Sequence, residues 1–532
     1  MSFTRQKKMQ QTTTQLLISN AQIYDGSGNA PFAGEVVIQG DKILAIAGKG
    51  GLSRTGCEVF DAGGAVLCPG FIDVHSHSDV PILKVPSADS KVSQGMTTEI
   101  VGNCGFSEFV YSKEKNALGD LPFQECDGSF NTYAEKVEQA RPAVNIAALC
   151  GHNSLRVKVM GYAERPATPA EIAQMKELLA QALEQGAAGF SSGLWYVPGR
   201  FSESAEIKQL ASLLRNTGKP YCTHMRNEGN LLFEAIAEAI EIAQCGSGSL
   251  QISHFKTWGK HNWGKIDRAI ELVEEALHQG VKILADRYPY TYSNTSLRMV
   301  VPSPYNKIDN DRLTEMLKNS VVEREKLLAL LECDSSDRAQ WDKILVISSE
   351  TPEHERFLGL NMLQIAEQLQ LSPAAACVKL LSESLPSAAF GIMCEENLQK
   401  FLSQSWMIPG SDGSIHEFSD TRTHPRAFGT FPRFFQIARA HAPLAEVIHR
   451  MTALPAEKFQ LSGRGRIAPG YFADLLLFEP EKYYSSADYV VPNRICEGVF
   501  RVYVNGALAY APDTSLKRQQ RGRMLRIRSN NN

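Results

Sequence analysis

Pro69-Gly70-Phe71-Ile72-Asp73-Val74-His75-Ser76-His77-Ser78-Asp79 is the stretch from which the rest of this chain can be read. Gly70 to Val74 reads as a short buried strand, and two histidines follow it. Side chains alternate along a strand, so residues two apart share a face. His75 and His77 therefore point the same way, with Asp79 beside them. Two imidazoles held in parallel form half of a site for a divalent metal, and imidazole suits zinc. A bare His-x-His fits a surface turn equally well. Further candidate ligands at later strand ends favour the metal.

Outward from this stretch, residues 68–455 alternate short apolar strands with helical segments, the pattern of βα units on a parallel sheet. Eight strands are predicted: Gly70–Val74, Thr97–Val101, Asn145–Leu149, Ala187–Phe190, Pro220–Thr223, Leu250–Ser253, Lys282–Ala285 and Trp406–Pro409. Amphipathic stretches such as Pro169–Gln185, Leu231–Gln244 and Lys265–Gln279 lie between them. The expected fold class is α/β, a TIM-like (β/α)8 barrel with its active site at the C-terminal strand ends. The connection from Tyr290 to Trp406 is far longer than the others. It is expected to be an inserted subdomain, about 291–405, over the barrel mouth.

The chain ends read differently. Leu16–Ile23, Glu35–Gln39, Lys42–Ala47 and Cys57–Leu67 are β-like and punctuated by Asp25-Gly26 and Gly40-Asp41. Ala473–Phe478 and Val499–Asn505 repeat the style near the other end. Segments 15–67 and 456–511 are therefore expected to build one small β-sandwich. Residues 1–14 are expected to be disordered. So is the tail, 512–532, whose Lys517–Arg528 stretch carries six basic residues in twelve.

Composition narrows the function. The chain has 532 residues, 43% of them hydrophobic, enough for more than one domain. Fifty-five basic residues face 58 acidic ones, net −3, so bulk charge gives no reason to expect nucleic acid or an anionic membrane. Eleven irregularly spaced cysteines without a CxxC pair suit reduced thiols in a cytoplasm. No run of about 18 apolar residues predicts a membrane span, and the polar N-terminus lacks the apolar core of a secretory signal.

The candidate ligands fall at strand ends. His75 and His77 follow the first strand, Cys104 the second, His224 the fifth, His254 the sixth and Asp412 the eighth. A cysteine thiolate with two imidazoles leaves a fourth position open, which is a catalytic zinc arrangement. Cys104, His224 and His254 would be that tight set. His75 and His77, with Asp412, would form a weaker second metal position or simply stay near the first. Asp412, in Gly410-Ser411-Asp412-Gly413, is also placed to take a proton from water and return it to a leaving amine.

Pro69 to Asp79 resembles the first-strand signature of the amidohydrolase superfamily, and later stretches resemble its D-aminoacylase (N-acyl-D-amino-acid deacylase) branch. The likeness runs from Leu16 to Ala509 and is weakest at 307–350. It implies the same barrel with a flanking β-domain. It also implies that Cys104, in Gly102-Asn103-Cys104-Gly105, stands where related enzymes use a carboxylated lysine. Gly189 to Pro198 resembles the strand-4 loop and makes Tyr196 a substrate candidate. His254-Phe255-Lys256 places Lys256 on the face of His254. Tyr288-Pro289-Tyr290 resembles a motif whose first tyrosine contacts substrate. Thr423 to Arg433 is similar to a stretch that puts Arg426 in a loop after strand 8. There it could hold a free α-carboxylate bidentately. The segment Thr291 to Thr295 departs from the pattern, with Asn294 where serine is expected.

The resemblance implies zinc-dependent hydrolysis of the amide of a small N-acyl-D-amino acid, giving a carboxylate and a free D-amino acid. The D preference comes from the resemblance alone. Two alternatives remain. One is a cyclic-amide hydrolase of the dihydroorotase or hydantoinase kind, which normally uses the lysine that Cys104 replaces. The other is a non-catalytic scaffold, which would ordinarily have lost such ligands.

Overall fold

The structure is a computed structural model that describes residues 15–110, 128–308, 310–333, 340–420 and 422–528. The segment 1–14 and the last four positions of the tail lie outside the described residues.

The two chain ends meet in one eight-stranded sheet. Gln15–Ile23, Phe32–Gln39, Lys42–Gly48, Cys57–Asp61 and Val66–Pro69 supply one part, and Leu475–Phe478, Val499–Val504 and Ala507–Tyr510 the other. The seam is antiparallel, with Leu475 opposite Pro69 and Phe478 opposite Val66. Leu475 and Leu477 pack into the sheet's own core with Ile18, Ile38 and Leu67. Leu476 and Phe478 point the other way, into the main core beside Phe71 and Met96. Both faces of this strand are covered, which is why it reads as an unbroken apolar run. The last hairpin turns at Asn505 (φ 49°) and Gly506 (φ 75°). A two-residue hairpin turn with both φ values positive favours Asn-Gly.

The middle of the chain carries two parallel sheets. Phe71–Asp73, Met96–Val101 and Asn145–Ala148 form the first. Cys150–Gly151, Phe190–Gly193, Tyr221–His224, Ser249–Ile252, Lys282–Arg287 and Met407–Pro409 form the second. Only Leu149 separates the two sheets along the chain, and a parallel bridge from Ser76 to Gly413 joins their outer ends. The fourth strand begins at Phe190, later than its apolar sequence suggests. Its serines extend the ladder because their hydroxyls are satisfied: Ser191 donates to Gly102 O (2.5 Å) and Ser192 pairs with the Tyr221 hydroxyl (2.6 Å). Helices run between the strands. Pro169–Gln185 starts on a capping box from Thr168 and Glu171, with proline at its first turn.

Within 291–405 a three-stranded sheet, Ser293–Ser296, Ser387–Phe390 and Ile344–Ser348, packs with helices including Asn310–Asn319 and Pro373–Glu383. Leu297, Leu313, Leu327, Ile365 and Leu380 give it a core of its own.

The tail overturns its expectation. Residues 522–528 lie along the main body: Met524 bridges Ile146, Leu525 N donates to Ile146 O, and Ile527 N donates to Gly186 O. Met524 and Ile527 are buried in the main core, while Arg526 reaches out to Asn131 and Gln185 O. Apolar residues interleaved with the basic ones bury one face and leave the charges outside.

Among the described residues no helix is long and apolar enough to cross a membrane. Ten cysteines there are free.

Candidate metal centre

The site forms where the C-terminal ends of the parallel strands converge. Asp73 closes the first strand, and its carboxylate accepts from His75 N (3.2 Å) and Ser411 N (2.9 Å). The loop carrying Asp412 is thereby laced to His75 and His77: Asp412 N donates to His75 O (2.7 Å) and His77 N to Gly413 O (2.9 Å).

Cys104, His254 and Asp412 all have left-handed backbone, at φ 53°, 35° and 48°. Such φ values are unfavourable for residues with a Cβ and persist where surrounding structure holds them, often at functional sites. Here the turn aims each side chain inward from a strand end. Gly102 makes the turn before Cys104 possible: a Cβ there would lie 2.2 Å from Leu149 O.

The donor atoms converge in two groups. Cys104, His224 and His254 form one, and His75, His77, Cys104 and Asp412 the other, with donor atoms in each within 4.8 Å of one another. The sequence assigns Cys104 to the first group only. In the structure it belongs to both, its Sγ 3.3 Å from His75 Nε2, 3.7 Å from His254 Nε2 and 3.9 Å from His224 Nδ1. Asp412 Oδ1 lies 3.0 Å from His77 Nε2 and 3.3 Å from His75 Nε2. Thiolate, imidazole and carboxylate donors are the set zinc takes. Asp79, expected beside the histidine pair, joins neither group. Burial pushes its carboxyl up to about 7.

Charge agrees with this geometry. Burial raises the Cys104 thiol, but His75 and hydrogen bonds with His224 and His254 pull it well below its ordinary value. Burial likewise opposes ionisation of Asp412, yet Arg426 and His75 hold it well below the usual carboxylate range. His75 is raised well above its ordinary value: burial works against this, but Asp286, Cys104 and Asp412 outweigh it.

Two acids that the sequence reading missed, Asp286 fully buried and Glu228 largely so, orient the ligands. Asp286 Oδ1 meets His75 Nδ1 (2.9 Å) and accepts from His254 N (2.8 Å). Glu228 Oε1 meets His254 Nδ1 at 2.9 Å. Each turns an imidazole so that its other nitrogen faces Cys104, as outer carboxylates do in metal sites. The available signal was an acid inside an apolar strand (Asp286) and one four residues past a candidate ligand (Glu228).

The proposed substrate groups surround the same centre. The Tyr196 ring stands 4.6 Å from that of His224. Tyr288 is buried, and burial raises its hydroxyl to about 12. Lys256 and Arg426 differ from expectation in being already engaged. Lys256 Nζ contacts Glu228 (2.5 Å) and His254 Nδ1 (2.7 Å). Arg426 opens helix Arg426–Arg439 rather than sitting in a loop, and Nη1 donates to Asp412 Oδ2 (2.7 Å). Its guanidinium lies 4.9 Å from the Tyr288 ring centroid.

A cavity of about 590 Å3 opens at His224, His254 and Asp412, walled by Tyr196, Trp258, Tyr288 and Met299. A larger one, about 1990 Å3, opens on the side of His77, Cys104 and Arg426. Asn294 borders both, and its buried Oδ1 has no partner among the described residues.

A family model described as amidohydrolase matches residues 58–318. The chain is 32% identical over 520 residues to the D-aminoacylase of Alcaligenes xylosoxydans xylosoxydans, covering 96% of this chain and 97% of that one. It superposes with TM-score 0.80 and 30% identity on the N-acyl-D-glutamate deacylase of Bordetella bronchiseptica, over 96% of this chain and 99% of that one. That structure holds zinc and a phosphonate inhibitor, a mimic of the tetrahedral intermediate. A D-aminoacylase structure concerned with a binuclear metal centre, with one-metal activation and second-metal attenuation, matches at TM-score 0.78 and 32% identity over 96% and 99% of the two chains.

Proposed function

The chain belongs to the D-aminoacylase branch of the amidohydrolase family, and on that premise we propose that it hydrolyses N-acyl-D-amino acids to a carboxylate and a free D-amino acid. The observation that carries the reading is the Cys104 thiolate shared by two ligand groups with Asp412 against it. The D hand follows the relatives.

Cys104, His224 and His254 would hold one zinc ion, and His75, His77 and Asp412, with Cys104 shared, a second, weaker one. Zinc supplies a Lewis acid for the amide carbonyl and makes water acidic enough to attack near neutral pH. Asp412 is the general base and then the general acid. Its ionised carboxylate takes the proton of the attacking water and hands it to the departing nitrogen. Arg426 keeps it ionised and aimed. Lys256, Tyr288 and Arg426 provide positive charge and a hydroxyl for the substrate's α-carboxylate, while Tyr196 walls the reacting centre. Because Lys256 and Arg426 already serve Glu228 and Asp412, substrate binding would add to these contacts rather than fill free cations.

The two parallel sheets are read as one (β/α)8 barrel over 68–455, closed between Phe71–Asp73 and Met407–Pro409. The Ser76–Gly413 bridge supports closure. Segments 15–67 and 456–511 form the accessory β-domain and 291–405 the insertion. Ten free cysteines support a reducing, cytoplasmic setting.

The test is a panel of N-acyl amino acids of both hands plus a hydantoin and dihydroorotate, read by amine release or ring opening. Turnover of D substrates by zinc-loaded protein is expected. Asp412→Asn should keep the fold and lose roughly 100-fold or more in kcat, the range for a lost acid–base group. Ring opening without D-amide cleavage would replace this reading by the cyclic-amide one. Near-normal kcat in the variant would remove Asp412 from the chemistry.

A further inference from the structure

Behind the histidine pair lies a second polar cluster to which no role has been assigned above. Lys91, in the short helix Asp89–Val92, is fully buried together with Asp73, Glu99, Ser76, Ser78 and Ser411. Its ammonium stands 2.9 Å from Asp73 Oδ2, 2.9 Å from Glu99 Oε1 and 2.9 Å from Ser411 Oγ. Glu99 Oε1 also accepts from Ser76 Oγ (2.6 Å) and Ser78 Oγ (2.9 Å). Ser411 Oγ in turn donates to Asp73 Oδ2 (2.6 Å).

The cluster touches the residues that flank three ligands. Ser76 lies between His75 and His77, and Ser411 immediately precedes Asp412. Asp73 Oδ1 takes the amides of His75 and Ser411. Lys91 is thus the common partner of the first and second strands and of the loop after the last strand. Among the described residues, none of these bonds reaches His224 or His254. Cys104 enters only indirectly, through its neighbour Asn103, whose Nδ2 donates to Ser76 O (3.4 Å).

Burying an ammonium and two carboxylates costs several kcal/mol per ion before pairing, and apolar side chains often fill such a space at no loss. Stability alone therefore does not account for the cluster. What it does provide is direction: three rigid charge-assisted contacts fix two loops that could otherwise slide past each other. Two carboxylates against one ammonium also leave one negative charge directly behind imidazoles that would face a divalent cation.

From this juxtaposition we infer that Lys91 is a positioning residue for the His75–His77–Asp412 half of the centre, acting on it more than on the Cys104–His224–His254 half, with which it shares Cys104. The inference deepens the reading of the site given above and rests on it only for the kinetic arm.

The experiment compares wild type, Lys91→Met and Ser411→Ala. Metal per chain is measured after equilibration at low and high zinc, together with kcat, KM and the melting temperature of the metal-stripped proteins. Lys91→Met should still take up the first zinc but bind the second at least roughly tenfold more weakly, within the 10- to 100-fold cost of losing such an outer partner. Its kcat should fall by at least the same factor while KM moves less than about threefold. Ser411→Ala, which removes the hydroxyl contacts alone, should show the same split at smaller size. Unchanged second-metal binding and kcat in Lys91→Met overturns the inference. Equal weakening of both metals, or a variant that does not fold while Ser411→Ala is normal, overturns it too, because Lys91 then serves the fold. If wild type cleaves no N-acyl-D-amino acid, the functional reading fails while the metal titration still decides this one.

Discussion

Replacing Arg426 by methionine should reduce kcat as well as raise KM, because its guanidinium already donates to Asp412, the carboxylate proposed to move protons. Methionine keeps much of the stem and removes the charge. In the folded protein Arg426 is 5% exposed, with Nη1 2.7 Å from Asp412 Oδ2. A hydrogen bond to a charged partner contributes about 1.5–3 kcal/mol. At about 1.36 kcal/mol per tenfold, its loss corresponds to roughly 10- to 150-fold. If Asp412 acts in the rate-limiting step, that factor falls on kcat, for any amide the protein cleaves. A second factor falls on KM for substrates with an α-carboxylate, since the guanidinium lies beside Tyr288 at the cavity wall. The assay is steady-state kinetics at saturating zinc on an N-acyl-D-amino acid and on the matching N-acyl amine without the carboxylate. The variant should lose kcat on both and gain KM on the first alone. The first zinc should stay near that of wild type, because Arg426 bonds Asp412, which is not in the Cys104–His224–His254 group. A rise in KM with kcat intact would refute the coupling to Asp412 and return Arg426 to carboxylate binding only. Unchanged kinetics would remove it from both tasks and leave Lys256 as the remaining cation for the carboxylate.

Cys104→Ala removes a donor from both groups at once, so zinc per chain should fall at both positions, whereas His224→Ala should spare the weaker one; elemental analysis after dialysis separates the two, and full zinc in Cys104→Ala would end the shared-ligand assignment. In acid, Glu206 should matter. Burial opposes its ionisation, but His152 and Arg156 hold its carboxyl down to about 2 from 4.5. A depressed folded value gives stability that is present above about 4.5 and lost as pH falls towards 2, because the unfolded chain takes the proton first. Urea midpoints between pH 5 and about 2.5 should therefore fall less steeply in Glu206→Gln, and equal slopes would contradict this. Deleting 512–532 strips Met524 and Ile527 from the core. A fully buried side chain of this size contributes about 1.5–3 kcal/mol. The net effect should be a melting temperature at least about 3 °C lower, read by calorimetry, with an unchanged value ruling out a structural tail.

The sequence by itself determined the strand ends and the residues standing on them. His75, His77, Cys104, His224, His254 and Asp412 were legible because each follows a short apolar run, and strand periodicity is a local property of the backbone. In a parallel βα array all such ends share one side, so a one-dimensional reading is enough to gather them. Two local readings failed where side-chain hydrogen bonds or interleaving altered the pattern. Ser191 and Ser192 lie inside a strand because their hydroxyls find partners. The tail looks solvated by charge count, yet it turns Met524 and Ile527 inward.

Only the tertiary structure decided which of these groups touch. Asp286 lies 211 residues from His75, and Lys91 lies 320 from Ser411, yet each pair is within hydrogen-bonding distance. Nothing in local periodicity encodes such a meeting, because it depends on how the sheets come together. The same packing puts Cys104 Sγ between two groups of imidazoles and sets Arg426 on Asp412 rather than in an open loop. Burial then compels pairing, since an ion taken out of water must find a partner nearby. The sequence could name the charged residues. Which of them neutralise one another, and so which remain for substrate, was settled by their removal from water.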